Sequence, residues 1–379
     1  MDRYIMKKNA MFAAGVSLFI GSLALAGEVW VTNDISPVNS SDFIWSSAAP
    51  TSADTWLVSG PDSLPDAVYN VDTSLEFAGL NISDVNSNTI NILEGGSLAL
   101  NSALTLADDS KLSLALSGGS MSVGGAFTYQ SANPLSVSKG SSLNVTNEFK
   151  FNNSSAVFSG TPTSAEYSLN IGGNLNLRPT SVEQKTSLTF ENGASAYVAG
   201  ALYFGSNGNV YENCDISLNV LSGASVEVKG ATQLYAVDEN SSSKLLVEGK
   251  GSSLILNGVQ ITTRTDGTAF NESAVLEVAN GAYLKTGSLE LFARNDSSNV
   301  SSFIVRGGSS VNVSNIQLKP DHAGSSGTSG SIYFKVLGSN NDIVSTGSLY
   351  MNFNTDKGYL NSIEIDAGNY LQFANVEAL

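Results

Sequence analysis

One short phrase is written again and again down this chain: apolar-x-apolar, a few linker residues, Gly, a small residue, a free position, then apolar-x-apolar. Between Ser187 and Val313 it reads SLTFENGASAYV, SLNVLSGASVEV, KLLVEGKGSSLIL, VLEVANGAYLKT and SFIVRGGSSVNV. The turn glycines are Gly193, Gly223, Gly251, Gly281 and Gly308, so the period is 27 to 30 residues. A fixed period of 20–50 residues is the mark of a solenoid, in which each repeat buries its apolar face only against its neighbours.

Within the phrase, apolar residues recur every second position, which sends alternate side chains to opposite faces of a strand. The positions between them are mostly Ser, Asn, Gly or charged residues, and Ser, Asn and Gly are poor helix formers. Each coil is therefore expected to contain two or three short strands, stacked in parallel on the next coil about 4.8 Å away. The glycines are expected at corners where the chain needs positive φ. Ala194, Ala224, Ser252, Ala282 and Ser309 should stack in one column of small residues behind them. No proline occurs from Ser181 to Lys319, which suits strands paired on both sides.

The ends differ from the middle. Residues 1–26 read as a secretory signal peptide: Arg3, Lys7 and Lys8 precede an apolar stretch from Met11 to Leu25 that closes on Ala24-Leu25-Ala26. Residues 27–85 lack the phrase but hold all three tryptophans, Trp30, Trp45 and Trp56, and the prolines Pro37, Pro50, Pro61 and Pro65. An open solenoid end would expose apolar core and unpaired strand edges, so this segment is expected to be an N-terminal cap. Solenoid repeats are expected over 86–379, about ten coils. Early turns at Gly96, Gly119 and Gly140 are more closely spaced, and weaker copies surround Gly338 and Gly368. The expected fold is an all-β, right-handed parallel β-helix.

The chemistry-bearing residues are sparse. With 34 acidic and 18 basic residues the net charge is −16, which argues against nucleic acid or an anionic membrane as partner. One cysteine, Cys214, and one histidine, His322, cannot assemble a structural zinc site. Asp321 neighbours His322, but adjacency does not orient a catalytic triad. Asp108-Asp109, Asp215 and Asp238-Glu239 lack the regular alternation of a calcium loop. Glu248, Asp266, Glu277 and Glu290, with Arg264, Arg294 and Arg306, are spread over different coils rather than grouped like a polysaccharide-cleaving site. Comparison coil by coil gives two outward columns. One is Tyr197, Glu227, Ile255, Lys285 and Asn312; the other is Tyr203, Gln233, Gln260, Glu290 and Gln317. Both read as solvated faces. No catalytic residue, metal site or cofactor is expected.

The signal peptide, the aromatic N-terminal segment with WSSAAPTSADTWLV (Trp45 to Val58), and the S-L-x-V-x-x-G-A-x-V-x-V repeats together resemble the passenger domains of bacterial autotransporters and related β-helical adhesins. The resemblance implies an exported structural or adhesive protein, secreted or held at the cell surface by the outer membrane. It implies host or polysaccharide surfaces as partners and carries over no active-site residue. Autotransporters close with a membrane β-barrel, and the residues after Gly368 contain no such pattern, so the expectation is either a fragment of a longer chain or a protein released or held at the surface through a separate outer-membrane anchor or secretion partner. The alternative is a secreted polysaccharide-binding or polysaccharide-cleaving β-helix, recognisable by grouped carboxylates or a Trp/Tyr row on adjacent coils.

Overall fold

A computed structural model of the chain describes residues 28–33, 36–46, 50–58, 66–82, 87–107, 111–163, 165–205, 212–236, 239–263, 271–293, 298–319, 330–352 and 361–378. The signal peptide assigned to residues 1–26 lies outside them. So do Asp108, Asp109, Asp238, Arg264, Asp266, Arg294, Asp321 and His322.

The described chain is a parallel β-solenoid of about 11 turns, and no α-helix occurs among the described residues. Each regular coil contributes three strand segments. The first face is a 13-stranded sheet with one strand per coil. The second and third faces belong to one 19-stranded sheet that bends around a corner. The coil from Asp215 shows the pattern. Asp215–Leu221 lies on the first face, and Ser225–Ala236 covers the second and third. Every regular pairing is parallel, as when Ser217 aligns with Ser187 below and with Lys244 above.

Alternation produces this arrangement directly. In Asp215–Leu221 the side chains of Ile216, Leu218 and Val220 are buried, while Ser217, Asn219 and Leu221 point outward. The buried partners stack coil over coil into one continuous apolar core. Each fully buried Leu, Val or Phe contributes roughly 1.5–3 kcal/mol of transfer free energy. The core changes character along its length. Around Phe127–Phe158 it is built from stacked aromatic rings: Phe127 on Phe149 at 5.1 Å, Tyr129 on Phe151 at 5.6 Å, and Phe158 on Phe190 at 5.0 Å. Further along it is mainly Leu, Val and Ile.

Two corners use glycine for two different reasons. At the corner between the first and second faces, Ala194 N donates to Glu191 O at 3.0 Å across Asn192 and Gly193, whose φ values are 55° and 83°. Two consecutive positive φ angles have the sense of a type I′ turn, which favours Asn-Gly. Ser222-Gly223 and Asn280-Gly281 repeat it. At the corner between the second and third faces, Gly230 N donates to Gly200 O, and Gly200 N donates to Gly173 O, both at 2.9 Å. A Cβ on Gly230 would lie 2.5 Å from the Gly200 carbonyl carbon. Close stacking of the backbone, rather than its φ, requires glycine there.

Parallel pairing reaches further toward the N terminus than the repeat phrase does. Val68–Val71 aligns with Thr89–Leu93, and Ser74–Phe77 with Ser97–Leu100, so ladder strands lie upstream of Asn86. Before them, Glu28–Val29, Thr55–Val58 and Gly79–Ile82 form a three-stranded parallel sheet. An antiparallel bridge from Val31 to Trp45 folds the segment over the end of the core. Trp56 is fully buried and packs against Phe43, Trp45, Tyr69 and Phe77, with ring centroids 5.5–6.0 Å apart. Its burial gives it the role of a plug and removes it from any surface platform.

Candidate functional site

The five turn glycines all lie at the first corner, with φ of 83° at Gly193, 81° at Gly223, 87° at Gly251, 81° at Gly281 and 74° at Gly308. A Cβ on Gly223 would meet nothing within 4 Å, so its requirement is conformational alone. Behind them Ala194, Ala224, Ser252, Ala282 and Ser309 are buried and stack in register, Ser225 N donating to Ala194 O and Ser253 N to Ala224 O. Ser252 Oγ donates to Glu248 O at 2.7 Å and Ser309 Oγ to Arg306 O at 2.7 Å, which satisfies the buried hydroxyls. Of the early turns, Gly140 has the expected positive φ of 88°, while at the other two the positive φ falls one residue earlier than the sequence spacing suggests, on Gly95 and Gly118. Gly96 and Gly119 instead occupy the small-residue column, where a Cβ would lie 1.9 Å and 2.4 Å from a neighbouring carbonyl oxygen. These glycines are structural parts of the coil.

Both outward columns read from the sequence are aligned in space. Tyr197, Glu227, Ile255, Lys285 and Asn312 are successive partners on the second face. Tyr203, Gln233, Gln260, Glu290 and Gln317 are successive partners on the third. The register extends the third-face column to Tyr350 and Glu377. Sequence reasoning stopped short of these two because the interval between coils lengthens there.

The acidic residues are engaged separately. Glu277 is the most thoroughly held: Arg306 Nε donates to its Oε1 at 2.6 Å, and Lys244 Nζ lies 2.8 Å from its Oε2. The three residues bridge three successive coils across the first face. Burial works to raise the Glu277 pKa, but the bonds and charges of Lys244 and Arg306 outweigh it and hold the carboxyl below its ordinary range. Glu248 accepts from Asn280 Nδ2 at 2.6 Å, and Glu290 lies on the third face, 3.9 Å from Lys319 Nζ. Asp215 accepts from Ser242 Oγ at 2.6 Å and pairs with Lys185 at 3.5 Å. In the cap, burial works to raise the Asp72 pKa. Bonds from Ser40 and Ser41 prevail and leave it lowered. Among the described residues no group of three His, Cys, Asp or Glu side chains is placed to hold a metal ion. Cys214 is buried, its Sγ donating to Ser181 O at 3.3 Å. No described helix is long and apolar enough to cross a membrane.

Tyrosine is the aromatic residue of the outer surface. Tyr167 stacks on Tyr197 at 5.3 Å, and Lys229 Nζ sits 6.0 Å from the Tyr197 ring centre. Arg178 lies 5.6 Å over the Tyr203 ring. Around Tyr350 the third face forms a groove of about 350 Å³, lined by Asn315, Gln317, Lys319, Ser348, Tyr350 and Glu377. Comparison with protein-family models, with curated proteins and with solved structures finds no match to this chain.

Proposed function

We propose that this chain is an exported structural β-solenoid, displayed on or released from a bacterial cell surface, whose faces serve attachment rather than catalysis. The observation that carries the reading is an uninterrupted parallel ladder of about 11 turns behind an aromatic plug. Repetition of this kind gives length and regular flat faces at a small cost in sequence complexity. The engagement of Glu277, Glu248 and Asp215 in inter-coil contacts supports a structural use of the acids. The leader-like residues 1–26 and the absence of any possible disulfide, with one cysteine, suit an exported protein stabilised by packing alone. The similarity of the repeats to autotransporter passengers gives the same direction.

The test is the intact mass of the native protein recovered from fractionated, protease-shaved source cells. A surface-exposed species lacking residues 1–26 is the expected result. Recovery from the cytoplasm with those residues retained overturns the proposal. Deletion of the gene should also lower attachment of the source cells to a surface they normally colonise.

A further inference from the structure

The three faces of the solenoid differ in the composition of their outward columns. On the first face the central outward column runs Thr189, Asn219, Leu246, Glu277, Ile304, Lys335. On the second face it includes Ile255 and Val344. Both are interrupted by aliphatic side chains, as expected of a face that only needs to be wet. The third-face column has no such break. Tyr203, Gln233, Gln260, Glu290, Gln317 and Tyr350 follow one another on successive coils, then Glu377. Every member carries a hydrogen-bonding side chain.

At about 4.8 Å per coil, the row from Tyr203 to Glu377 spans about 29 Å along the axis. The strands beneath it are paired on both sides as far as the coil of Tyr350, so no backbone edge is open there for an added peptide strand. Recognition on this face therefore has to run through side chains. Three of them are primary amides, Gln233, Gln260 and Gln317, a group that donates and accepts at once; Gln260 Oε1 already accepts from the Tyr235 hydroxyl at 2.5 Å, which orients that amide and leaves its N–H donors outward. That pairing of functions matches hydroxyl groups. Tyr350 adds a ring face and a phenol, the combination suited to a ligand with both polar edges and C–H faces, while Tyr203, with Arg178 5.6 Å over its ring, adds a phenol. The cations beside the row are engaged, Lys319 Nζ 3.9 Å from the Glu290 carboxylate and Arg178 over the Tyr203 ring, and the row itself carries the carboxylates Glu290 and Glu377, which disfavours an acidic polymer. The net charge of −16 repels polyanions as well.

We infer that the third face is a binding track for a neutral polysaccharide lying along the solenoid axis, seated at the groove around Tyr350. At about 4.8 Å per coil, a glycan lying along the axis meets one hydrogen-bonding side chain at every step. The inference rests on the attachment reading above and names the ligand class and the face that would serve it.

Affinity electrophoresis of the purified folded chain tests it, with dextran, xyloglucan and hydroxyethylcellulose as neutral probes and polygalacturonate as the acidic one. At least one neutral glycan should retard the protein. Tyr350→Ala and Gln260→Ala should each weaken that retardation, Tyr350→Ala by roughly tenfold in affinity, equivalent to the loss of about 1.4 kcal/mol. Ile255→Ala, on the second face, should leave it unchanged, and circular dichroism should show all three variants folded. If Tyr350→Ala does not fold, Gln260→Ala decides. No retardation by any neutral glycan, retardation by polygalacturonate alone, or equal retardation of the wild-type chain and the folded third-face variants would overturn the inference. Each of those results leaves the cell-surface reading standing, because that reading is decided in fractionated cells.

Discussion

The coils before Ser181 and those after it solve the same problem in different ways. In the earlier half, the first-face strands are two to five residues long, as in Val38–Asn39, Leu135–Val137 and Ser155–Ser159. The second and third faces are separate strands divided by tight corners such as Gly124-Gly125 and Gly172-Gly173. In the later half, the first-face strands reach seven residues, and from Ser225 to Lys319 the second and third faces merge into single bent strands of 10 to 12 residues, before separating again at Asp342–Ser345 and Ser348–Met351. A short coil encloses little cross-section but carries fewer ladder bonds per turn. From Phe127 to Phe158 the interior is filled with stacked aromatic rings, whereas the equally short coils from Ile90 to Val123 use Ile, Leu, Met and Val. A long coil gains backbone ladder and fills its interior mainly with Leu, Val and Ile, with Phe303 and Phe334 packed together among them. The difference teaches that the parallel ladder between coils is kept along the solenoid while coil length and core composition change.

The comparison can be broken at its core. Phe151→Ala, in the stacked aromatic half, should cost roughly 3–5 kcal/mol, because it removes a fully buried ring and leaves a cavity between Tyr129 and its neighbours. Leu291→Ala, in the long-coil half, should cost less in a parallel denaturant titration, because stacked rings add about 0.5–1.5 kcal/mol beyond the area they bury. Equal midpoint shifts would mean that the aromatic stack is only filling volume.

The two glycine corners give the next largest effect. Gly251→Val places a β-branched residue at φ 87° and should cost roughly 1–3 kcal/mol. Gly172→Ala should cost a similar amount through crowding, since its Cβ would sit 2.1 Å from Thr146 O. Gly223→Asn separates the causes. Asn adopts positive φ, as Asn192 and Asn280 do at the preceding position of this turn, and space at Gly223 is open, so thermal unfolding should shift little.

A smaller effect is expected at Glu277. Its pKa is lowered in the folded chain, so its contribution is present above the ordinary glutamate range and is lost as pH falls through the folded value. Glu277→Gln should lower stability by about 1 kcal/mol at neutral pH and converge with the wild type in acid. A constant difference down to low pH would assign the loss to packing rather than to Lys244 and Arg306. The smallest effect is expected at Ser253, on an outward second-face position. Ser253→Val should fall within about 0.5 kcal/mol of wild type in the same titration.

Much of the later half was legible in the sequence. The phrase repeats at nearly constant length there, so aligning its glycines also aligned the columns through Tyr197 and Tyr203. In the earlier half the interval shrinks, and a Gly-Gly pair such as Gly95-Gly96 gives no sign of which residue takes positive φ. The answer depends on the coil below, where Val71 O leaves no room for a Cβ on the second glycine. The cap strands were hidden for a related reason. Val38–Asn39 and Thr55–Val58 are two and four residues long, and pairing with the coil above makes them strands.

The sequence by itself determined the class of fold. Period-two alternation fixes strands, Asn-Gly and Ser-Gly fix the direction of the turn, and repetition fixes stacking. Those are local properties, set by sterics and by hydrophobic patterning within a dozen residues. Tertiary structure alone decided which faces merge, how the aromatic plug seals the first coil, and that the third-face row runs on through Tyr350 to Glu377. Register between coils joins residues about 30 positions apart, and only the pairing of whole strands sets it.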